Sequence, residues 1–229
     1  MKISVIIPVL NESAIIGNTL ARIRENSSSR YIEEIIMVDG GSEDGTPEIA
    51  VKFGVRVIAS EKGRAKQLNK GAQEANGEIL YFLHADTVPP KDFDQSILEA
   101  VGVGHRVGCF QMRFDSQSRF LGFFAWFTRV NVRLCRGGDQ SLFITKTLFN
   151  QSGGYNEDYL IFEDNEFIGR LYGMVAFKIL PRHVKTSARR YEKRGKVRLQ
   201  YYFGMIHLKN YLGAGPQQLY DYYRRKILI

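Results

Sequence analysis

Cysteine is scarce in this chain: Cys109 and Cys135 are the two among 229 residues. Their spacing suits neither a zinc knuckle nor a disulfide framework, so a reducing cytoplasm is the expected compartment. Long apolar runs are absent as well. A membrane-spanning helix needs about 18 consecutive apolar residues. The longest candidate, Phe120 to Phe127, is bracketed by Arg119 and Arg129. Pro8 and Asn11-Glu12 cut the N-terminal apolar run short, with no small-residue cleavage site behind it, so no signal peptide is expected. The expectation is a soluble protein, or one peripheral at the inner face of a membrane. No Gly-x-Gly-x-x-Gly follows the first apolar run and no Walker loop occurs, which excludes the usual dinucleotide and P-loop arrangements. Zinc-finger, helix-turn-helix and RNA-binding aromatic signatures are missing too, and no nucleic acid is expected as a partner. Internal repeats and low-complexity linkers are also absent.

What is present is an ordinary globular composition, 44% apolar and 24% charged, long enough to bury a core without staples. The net charge is +8, and much of the excess lies after residue 181. Such an asymmetry suits phosphorylated substrates or an anionic membrane surface.

The apolar spacing of the first ninety residues alternates strand and helix. Ile3–Val9, Ile35–Val38, Val55–Ala59 and Ile79–Leu83 read as strands buried on both faces. Ala14–Arg24, a helix opened by Thr46-Pro47, and Gly63–Ala75 read as the helices between them. Four such steps predict right-handed crossovers and a mostly parallel α/β sheet flanked by helices. Asp39 and Asp86 end the second and fourth strands, and Glu12 lies just past the first. Three carboxylates are then expected at the edge where open α/β sheets bind ligands. His84, two residues before Asp86, is expected to face the same site.

Later the rhythm changes. Val107–Phe114 alternates as a half-exposed strand would, and Leu121–Leu134 reads as a buried core helix, with a helix dipping into a membrane surface as its alternative. Gly137-Gly138-Asp139-Gln140 is a loop before the strand Ser141–Ile144. Phe162-Glu163-Asp164-Asn165-Glu166 opens a helix running to about Gly173. After the basic run Arg189–Arg194, Val197, Tyr201, Met205, Leu208 and Leu212 fall on one helical stripe. That helix and the aromatic-basic end Tyr220–Ile229 are open to three uses: packing on the domain, which comes first, a homodimer contact, or contact with anionic lipid. The expected organisation is a domain over 1–190 with a helical C-terminal extension over 191–229.

Together these motifs resemble family 2 glycosyltransferases, which have the GT-A fold with a Rossmann-like nucleotide-binding half. Ser4–Glu12 is similar to their first strand and turn, and Val38–Thr46 to their second. His84-Ala85-Asp86 stands at the place of their Asp-x-Asp motif, and Glu163-Asp164 at that of their acceptor-side pair. Gly63–Asn69, Gly138–Gln140 and Ala188–Gly195 further resemble a short, soluble bacterial subgroup, sometimes linked with radical-SAM or selenium-domain neighbours, whose acceptors are poorly defined.

The resemblance implies roles residue by residue. Pro8, Leu10 and Glu12 line the base and ribose pocket, and Asp39 takes a hydrogen bond from the base. Gly63, Arg64 and Asn69 border the donor. Asp86 binds the divalent metal, Mn²⁺ or Mg²⁺, that bridges the diphosphate. His84 replaces the usual first Asp, where it reaches ribose or the metal. Asp164 is the base, with Glu163 beside it. Beyond what the resemblance implies, Asp139, Gln140, Arg189 and Arg190 are candidates for the acceptor or a phosphate, with a turn residue at Asp139 and a solvated charge run at the arginines as the alternatives.

The implied reaction is inverting transfer of a sugar from a UDP- or GDP-linked donor to an acceptor hydroxyl, with lipid- and phosphate-linked acceptors among the candidates. Its chemistry asks for a cation at the departing diphosphate and a carboxylate at the attacking hydroxyl. A nucleotidyltransferase would need a glycine-rich loop where Val9-Leu10-Asn11-Glu12 stands. A non-catalytic sugar-nucleotide-binding or membrane-surface module is the remaining alternative.

Overall fold

The computed structural model describes residues 1–28 and 30–228. Ser29 and Ile229, the last residue of the expected extension, lie outside the described residues. The chain opens with the alternation its apolar spacing predicts: β1 (Ile3–Val9), α1 (Ser13–Asn26), β2 (Ile32–Asp39), α2 (Thr46–Lys52), β3 (Arg56–Ala59), α3 (Arg64–Glu74) and β4 (Ile79–Phe82). β1 pairs in parallel with β2 and β4, and β2 with β3. A strand with neighbours on both edges and helices on both faces has no polar side to present, and every residue of β1 is buried. Ile3, Val5 and Ile7 pack in one core layer with Ile16, Leu20 and Ile23 of α1. Ile6 packs in the other with Leu68 and Ala72 of α3. Each such side chain contributes roughly 1.5–3 kcal/mol on leaving water. Helix α3 sits close to the sheet at Gly71, where a β carbon would lie 2.5 Å from Ile6 Cγ2 and 3.0 Å from Val38 Cγ2.

After β4 the chain turns. The Thr87 N–H donates to the His84 carbonyl at 3.1 Å, and the Thr19 hydroxyl holds the Ala85 carbonyl at 2.6 Å. The alternation that would set His84 and Asp86 on one strand face therefore stops at Phe82; both residues belong to the turn. The chain continues through β5 (Thr87–Val88), α4 (Phe93–Gly102), β6 (Val107–Phe114), α5 (Arg119–Trp126), β7 (Leu142–Thr145), α6 (Lys146–Ser152), α7 (Glu163–Met174) and β8 (Lys178–Thr186). Among the described residues the strands form one eight-stranded sheet in the order β3-β2-β1-β4-β7-β6-β8-β5. β7 runs antiparallel to both β4 and β6, β6 and β8 are parallel, and β5 is antiparallel to β8.

Three expectations need correction. Val107–Phe114 is buried over its first four residues and alternates only from Gln111 onward, because β7 and β8 flank its first half. The helix expected over 121–134 ends at Trp126 and breaks into short 3-10 turns at Phe127–Arg129 and Arg133–Cys135. The Thr128 hydroxyl bonds the Ala125 carbonyl at 2.7 Å, and the β-branched Val130 and Val132 take extended backbone. Nor is this segment a core helix: Phe123, Trp126 and Leu134 are 60%, 54% and 74% exposed.

The tail comprises α8 (Arg189–Arg194), α9 (Lys196–Tyr211), α10 (Pro216–Tyr223) and a π-helical turn (Arg224–Leu228). The apolar stripe expected on α9 does not pack. Val197, Tyr201, Leu208 and Leu212 are exposed, while Leu199 and Ile206 meet Leu219 and Ile227 in a small separate cluster. Two apolar faces compete on this helix, and the one nearer α10 is the one covered. Among the described residues no helix is long and apolar enough to cross a membrane.

Candidate functional site

The carboxyl ends of β1 and β2 are stapled together. Asp39 accepts from the backbone N–H groups of Gly41 and Ser42, at 3.1 and 3.0 Å, and from the Ser42 hydroxyl at 2.5 Å. The Ser42 hydroxyl accepts from the Asn11 N–H at 2.8 Å, and Asn11 Oδ1 accepts from the Glu43 N–H at 2.9 Å. Buried Pro8, in register with Val38, thus leads into Leu10 and Glu12 beside Asp39. From below, buried Gln67 of α3 donates to the carbonyls of Val9 and Val38 at 2.7 and 2.8 Å. Nothing in the sequence marks Gln67, because its partners lie 58 and 29 residues away.

The turn after β4 joins this edge to the tail. β5 and β8 pair at Thr87 and Thr186, whose hydroxyls meet at 3.0 Å, and the Ser187 N–H donates to the Asp86 carbonyl at 3.1 Å. That pairing carries Arg189 over the sheet edge. Its guanidinium donates to both carboxylate oxygens of Glu12 and lies 3.5 Å from Asp86.

A second group gathers around Asp164 at the start of α7. His84 Nε2 is 3.4 Å from Asp164 Oδ2, and His84 Nδ1 is 3.4 Å from Asp139 Oδ1. Burial alone works against the imidazolium, but the pairing with Asp139 and Asp164 outweighs it and raises the His84 pKa to about 10. Partial burial works against ionised Asp139 too, yet His84 and the charges of Arg64 and Arg190 hold it below the usual carboxylate range. Arg64, first residue of α3, lies 2.8 Å from Glu163 Oε1 and 3.6 Å from Asp164 Oδ2. Gly63 delivers it there with φ 142°, a conformation that favours glycine. Glu163 is almost wholly buried; that burial, with Asp164 beside it, raises its pKa against the pull of Arg64. Its Oε1 has the ion pair but no hydrogen bond of good geometry. Phe162, just before it, is held at φ 70°, a backbone conformation that costs a non-glycine residue free energy.

Three residues to which sequence reasoning gave no role shape this group. A β carbon on Gly138 would overlap the Asp164 carboxylate and lie 2.7 Å from the His84 ring. Arg136 is buried and donates to the carbonyls of Thr128 and Val130, each at 2.7 Å, and to Gln140 Oε1 at 2.6 Å. It ties the broken helix to the loop carrying Gly138 and Asp139. Phe162 sets the angle of α7, its ring edge-on to His207 of α9. Gly138 was legible through the double glycine and the Gly138–Gln140 motif, not through what it touches.

The expected site residues thus divide. Arg64, His84, Asp139, Gln140, Glu163, Asp164 and Arg190 line one cavity of about 780 Å³. Glu12, Asp86 and Arg189 form a cluster outside that lining, one turn away. Gln140 is buried with both ends of its amide engaged, its Nε2 donating to the Cys135 carbonyl at 2.7 Å. Asn69 is occupied with the 155–157 loop, donating to the Tyr155 carbonyl at 2.9 Å and to Glu157 at 2.8 Å. Arg190 donates to the Tyr223 hydroxyl at 2.5 Å.

For a metal, no three His, Cys, Asp or Glu side chains among the described residues are grouped to hold one. Asp86 and Glu12 do face a common cation, the Arg189 guanidinium. This donor set fits an ion that takes most of its ligands from a bound diphosphate and does not fit one caged by protein alone.

The glycosyl transferase family 2 model matches residues 4–162. A dolichol-phosphate mannosyltransferase of Pyrococcus furiosus is 34% identical over 110 residues, which is 45% of this chain and 31% of that protein. The chain thus matches under a third of the length of that relative. A PGL/p-HBAD biosynthesis glycosyltransferase of Mycobacterium bovis is 28% identical over 206 residues, covering 81% of this chain and 75% of its own. Among solved structures, the mannosyltransferase PcManGT from Pyrobaculum calidifontis, in complex with GDP-Man and Mn²⁺, superposes with a TM-score of 0.69. It is 19% identical, and the match covers 97% of this chain and 69% of that one. S. aureus TarS in complex with UDP-GlcNAc gives 0.66 at 20% identity, over 82% and 58% of the two chains. The fold is that of the GT-A glycosyltransferases, and Glu12, Asp39 and Asp86 lie within the residues that the family model matches. The chain belongs to glycosyl transferase family 2.

Proposed function

We propose that the protein is an inverting glycosyltransferase that moves a sugar from a UDP- or GDP-linked donor to an acceptor hydroxyl, with Asp164 as the base. The observation that carries this reading is the division of the site into two charge clusters joined by the four-residue turn His84–Thr87. Glu12, Asp39 and Asp86, at the carboxyl ends of parallel strands, are placed for a nucleotide. Asp39 and Glu12 supply acceptors for base and ribose. Asp86 would hold a divalent ion with the donor diphosphate, and that ion supplies charge stabilisation for the leaving group. Arg189, already at this edge, supplies a second positive charge there.

Asp164 stands at the wall of the cavity, where an incoming hydroxyl can reach it. It accepts the proton as the oxygen attacks the anomeric carbon from the face opposite the diphosphate. His84, a cation at neutral pH, fixes the Asp164 carboxylate from one side and Arg64 from the other. Arg64 also neutralises buried Glu163, so that the charge beside Asp164 is balanced. Residues 1–190 form the transferase body in this proposal, and residues 191–228 wall one side of the cavity. Cytoplasmic residence belongs to the same proposal and rests on the two free cysteines.

The test is calorimetric titration of UDP and GDP with Mn²⁺, Mg²⁺ or EDTA, on wild type, Asp86→Ala and Asp164→Asn. Metal-dependent binding of one nucleotide is expected, lost in Asp86→Ala and retained in Asp164→Asn. Turnover of the matching donor should fall about 10²–10⁴-fold in Asp164→Asn. Absence of binding by either nucleotide under every metal condition would overturn the reading.

A further inference from the structure

The cavity that holds Asp164 is lined by two kinds of residue. Arg64, His84, Asp139 and Asp164 are linked by ion pairs of 3.4 to 3.6 Å. Phe124, Phe127 and Leu134 from the broken helix and Leu208 and Tyr211 of α9 supply apolar lining. No carboxylate or cation lies among these five. Leu134 and Tyr211 are 74% and 84% exposed, so the apolar lining reaches solvent.

The apolar wall continues outward. Phe127 meets Phe123 edge-on with ring centres 5.2 Å apart, and Trp126 at 5.4 Å. Phe123, Trp126 and Leu212 project into solvent around the mouth. Large apolar side chains clustered on an open surface are uncommon unless something covers them. These are the same two segments, the 119–135 stretch and α9, whose expected burial the fold does not provide.

Charge says what the cover is. Residues 116–135 contain three arginines and no Asp or Glu, and residues 193–220 contain five Lys or Arg and no Asp or Glu. Both walls of the apolar mouth are thus uniformly basic in their charged residues, in a chain that elsewhere mixes signs. A cover that is apolar within and anionic at its surface matches both features. Arg190 and Arg64 line the same cavity as Asp164 and offer cations to an anionic head.

We propose that the acceptor is an anionic membrane lipid. Its hydrocarbon lies between the 119–135 segment and α9, and its head carries the accepting group to Asp164. Phe123, Trp126 and Leu212 enter the bilayer interface around the mouth. This inference deepens the glycosyltransferase reading and rests on it for the chemistry. The lipid head supplies the nucleophilic oxygen, which bonds to the anomeric carbon as the bond to the diphosphate breaks. The proton of that oxygen goes to Asp164, and the nucleoside diphosphate departs with the electron pair.

Trp126 is the single tryptophan of the chain, and its emission reports the mouth directly. The full chain is mixed with vesicles of phosphatidylcholine alone, or of equal parts phosphatidylcholine and phosphatidylglycerol, each with and without brominated chains. Emission should shift to the blue and be quenched by brominated lipid on the anionic vesicles, far more than on the neutral ones. Phe123→Ser/Leu212→Ser, which keeps Trp126, should lose the shift. A second arm titrates dihexanoyl phosphatidic acid and inorganic phosphate into wild type and Phe127→Ser/Leu208→Ser. The lipid should bind at least about tenfold tighter than phosphate, since its chains bury several CH₂ groups. That margin should vanish in the double variant.

Equal affinity for lipid and phosphate, or no Trp126 shift on anionic vesicles, would overturn the proposal. So would burial of Trp126 by self-association in vesicle-free solution. UDP and GDP binding with Mn²⁺ is measured on the same samples. Nucleotide binding without lipid binding sinks the lipid acceptor alone. Lipid insertion without any nucleotide binding sinks the transferase reading, and with it the assignment of the lipid as acceptor.

Discussion

Arg189 donates to both carboxylate oxygens of Glu12, at 2.7 and 2.8 Å, across 177 residues of chain. The same guanidinium lies 3.5 Å from Asp86. A fixed positive charge therefore already sits where the proposed metal would be drawn. Two like charges about 4 Å apart in water repel by about 1 kcal/mol, roughly fivefold in affinity. Arg189→Ala should tighten Mn²⁺ binding by about that factor, read by calorimetry on the nucleotide-saturated protein. Stability should change by less than about 1 kcal/mol, because the pair is half exposed. Unchanged Mn²⁺ affinity would count against a cation site at Asp86.

Gly138 offers a cleaner cut at Asp164 than its conservative replacement does. A methyl group there overlaps the Asp164 carboxylate and crowds the His84 ring. Gly138→Ala should lower kcat by roughly the 10²–10⁴-fold expected of losing the base itself. Nucleotide binding, at the other cluster, should persist. A variant that turns over normally would show that Asp164 can move without penalty, and would remove it from the role of base.

His84 gives the protein a pH signature. Its pKa is raised from the usual 6.5 to about 10, so folding favours its imidazolium. The stability this contributes is complete below the unfolded value near 6.5 and is lost as pH rises through about 10. Urea denaturation of metal-free wild type should show stability declining across that window. His84→Gln should be less stable at neutral pH and flatter over the same range. Parallel wild-type and variant profiles would refute the pairing with Asp139 and Asp164.

Arg136 is a buried cation that serves carbonyls, an amide oxygen and the Cys109 sulfur. Arg136→Met keeps the apolar stem and leaves those acceptors buried and unpartnered. Each such group costs about 1–3 kcal/mol. A loss on the order of 3 kcal/mol is expected in urea denaturation. Because the segment it ties carries Gly138 and Asp139, turnover should fall even at temperatures where the variant is folded. A variant as stable as wild type would mean that water reaches these acceptors.

How much of this was legible in the sequence depended on what kind of contact made each feature. β1 and β4 could be read because strands covered on both faces must be apolar throughout. β8 could not. Phe110 pairs with Leu180 and Gln111 with His183, so Pro181 and Arg182 bulge out of the ladder. A proline that lacks a donor and two exposed cations hide the strand. The carboxylates at Asp39, Asp86 and Asp164 stood out through their motifs. Gln67 and Arg136 did not, since their importance lies in carbonyls that only the folded chain brings near. On α9, periodicity found an apolar stripe, and the fold covered the adjacent face instead. Periodicity shows that a face is apolar; it does not say what will meet it.

The sheet reverses direction between β4 and β7, where four residue pairs, Ile79–Thr145 through Phe82–Leu142, join the parallel half to the rest. The strands on one side of that junction carry Glu12 and Asp39, and the segments on the other carry Asp139, Asp164 and the aromatic mouth. A genetic crossover in the loops after β5 would therefore recombine along a natural line. Chimeras of family members joined there would take Glu12, Asp39 and Asp86 from one parent and Asp139 and Asp164 from the other, and the pairs Arg189–Glu12 and Arg64–Glu163 are the contacts that must match across the join.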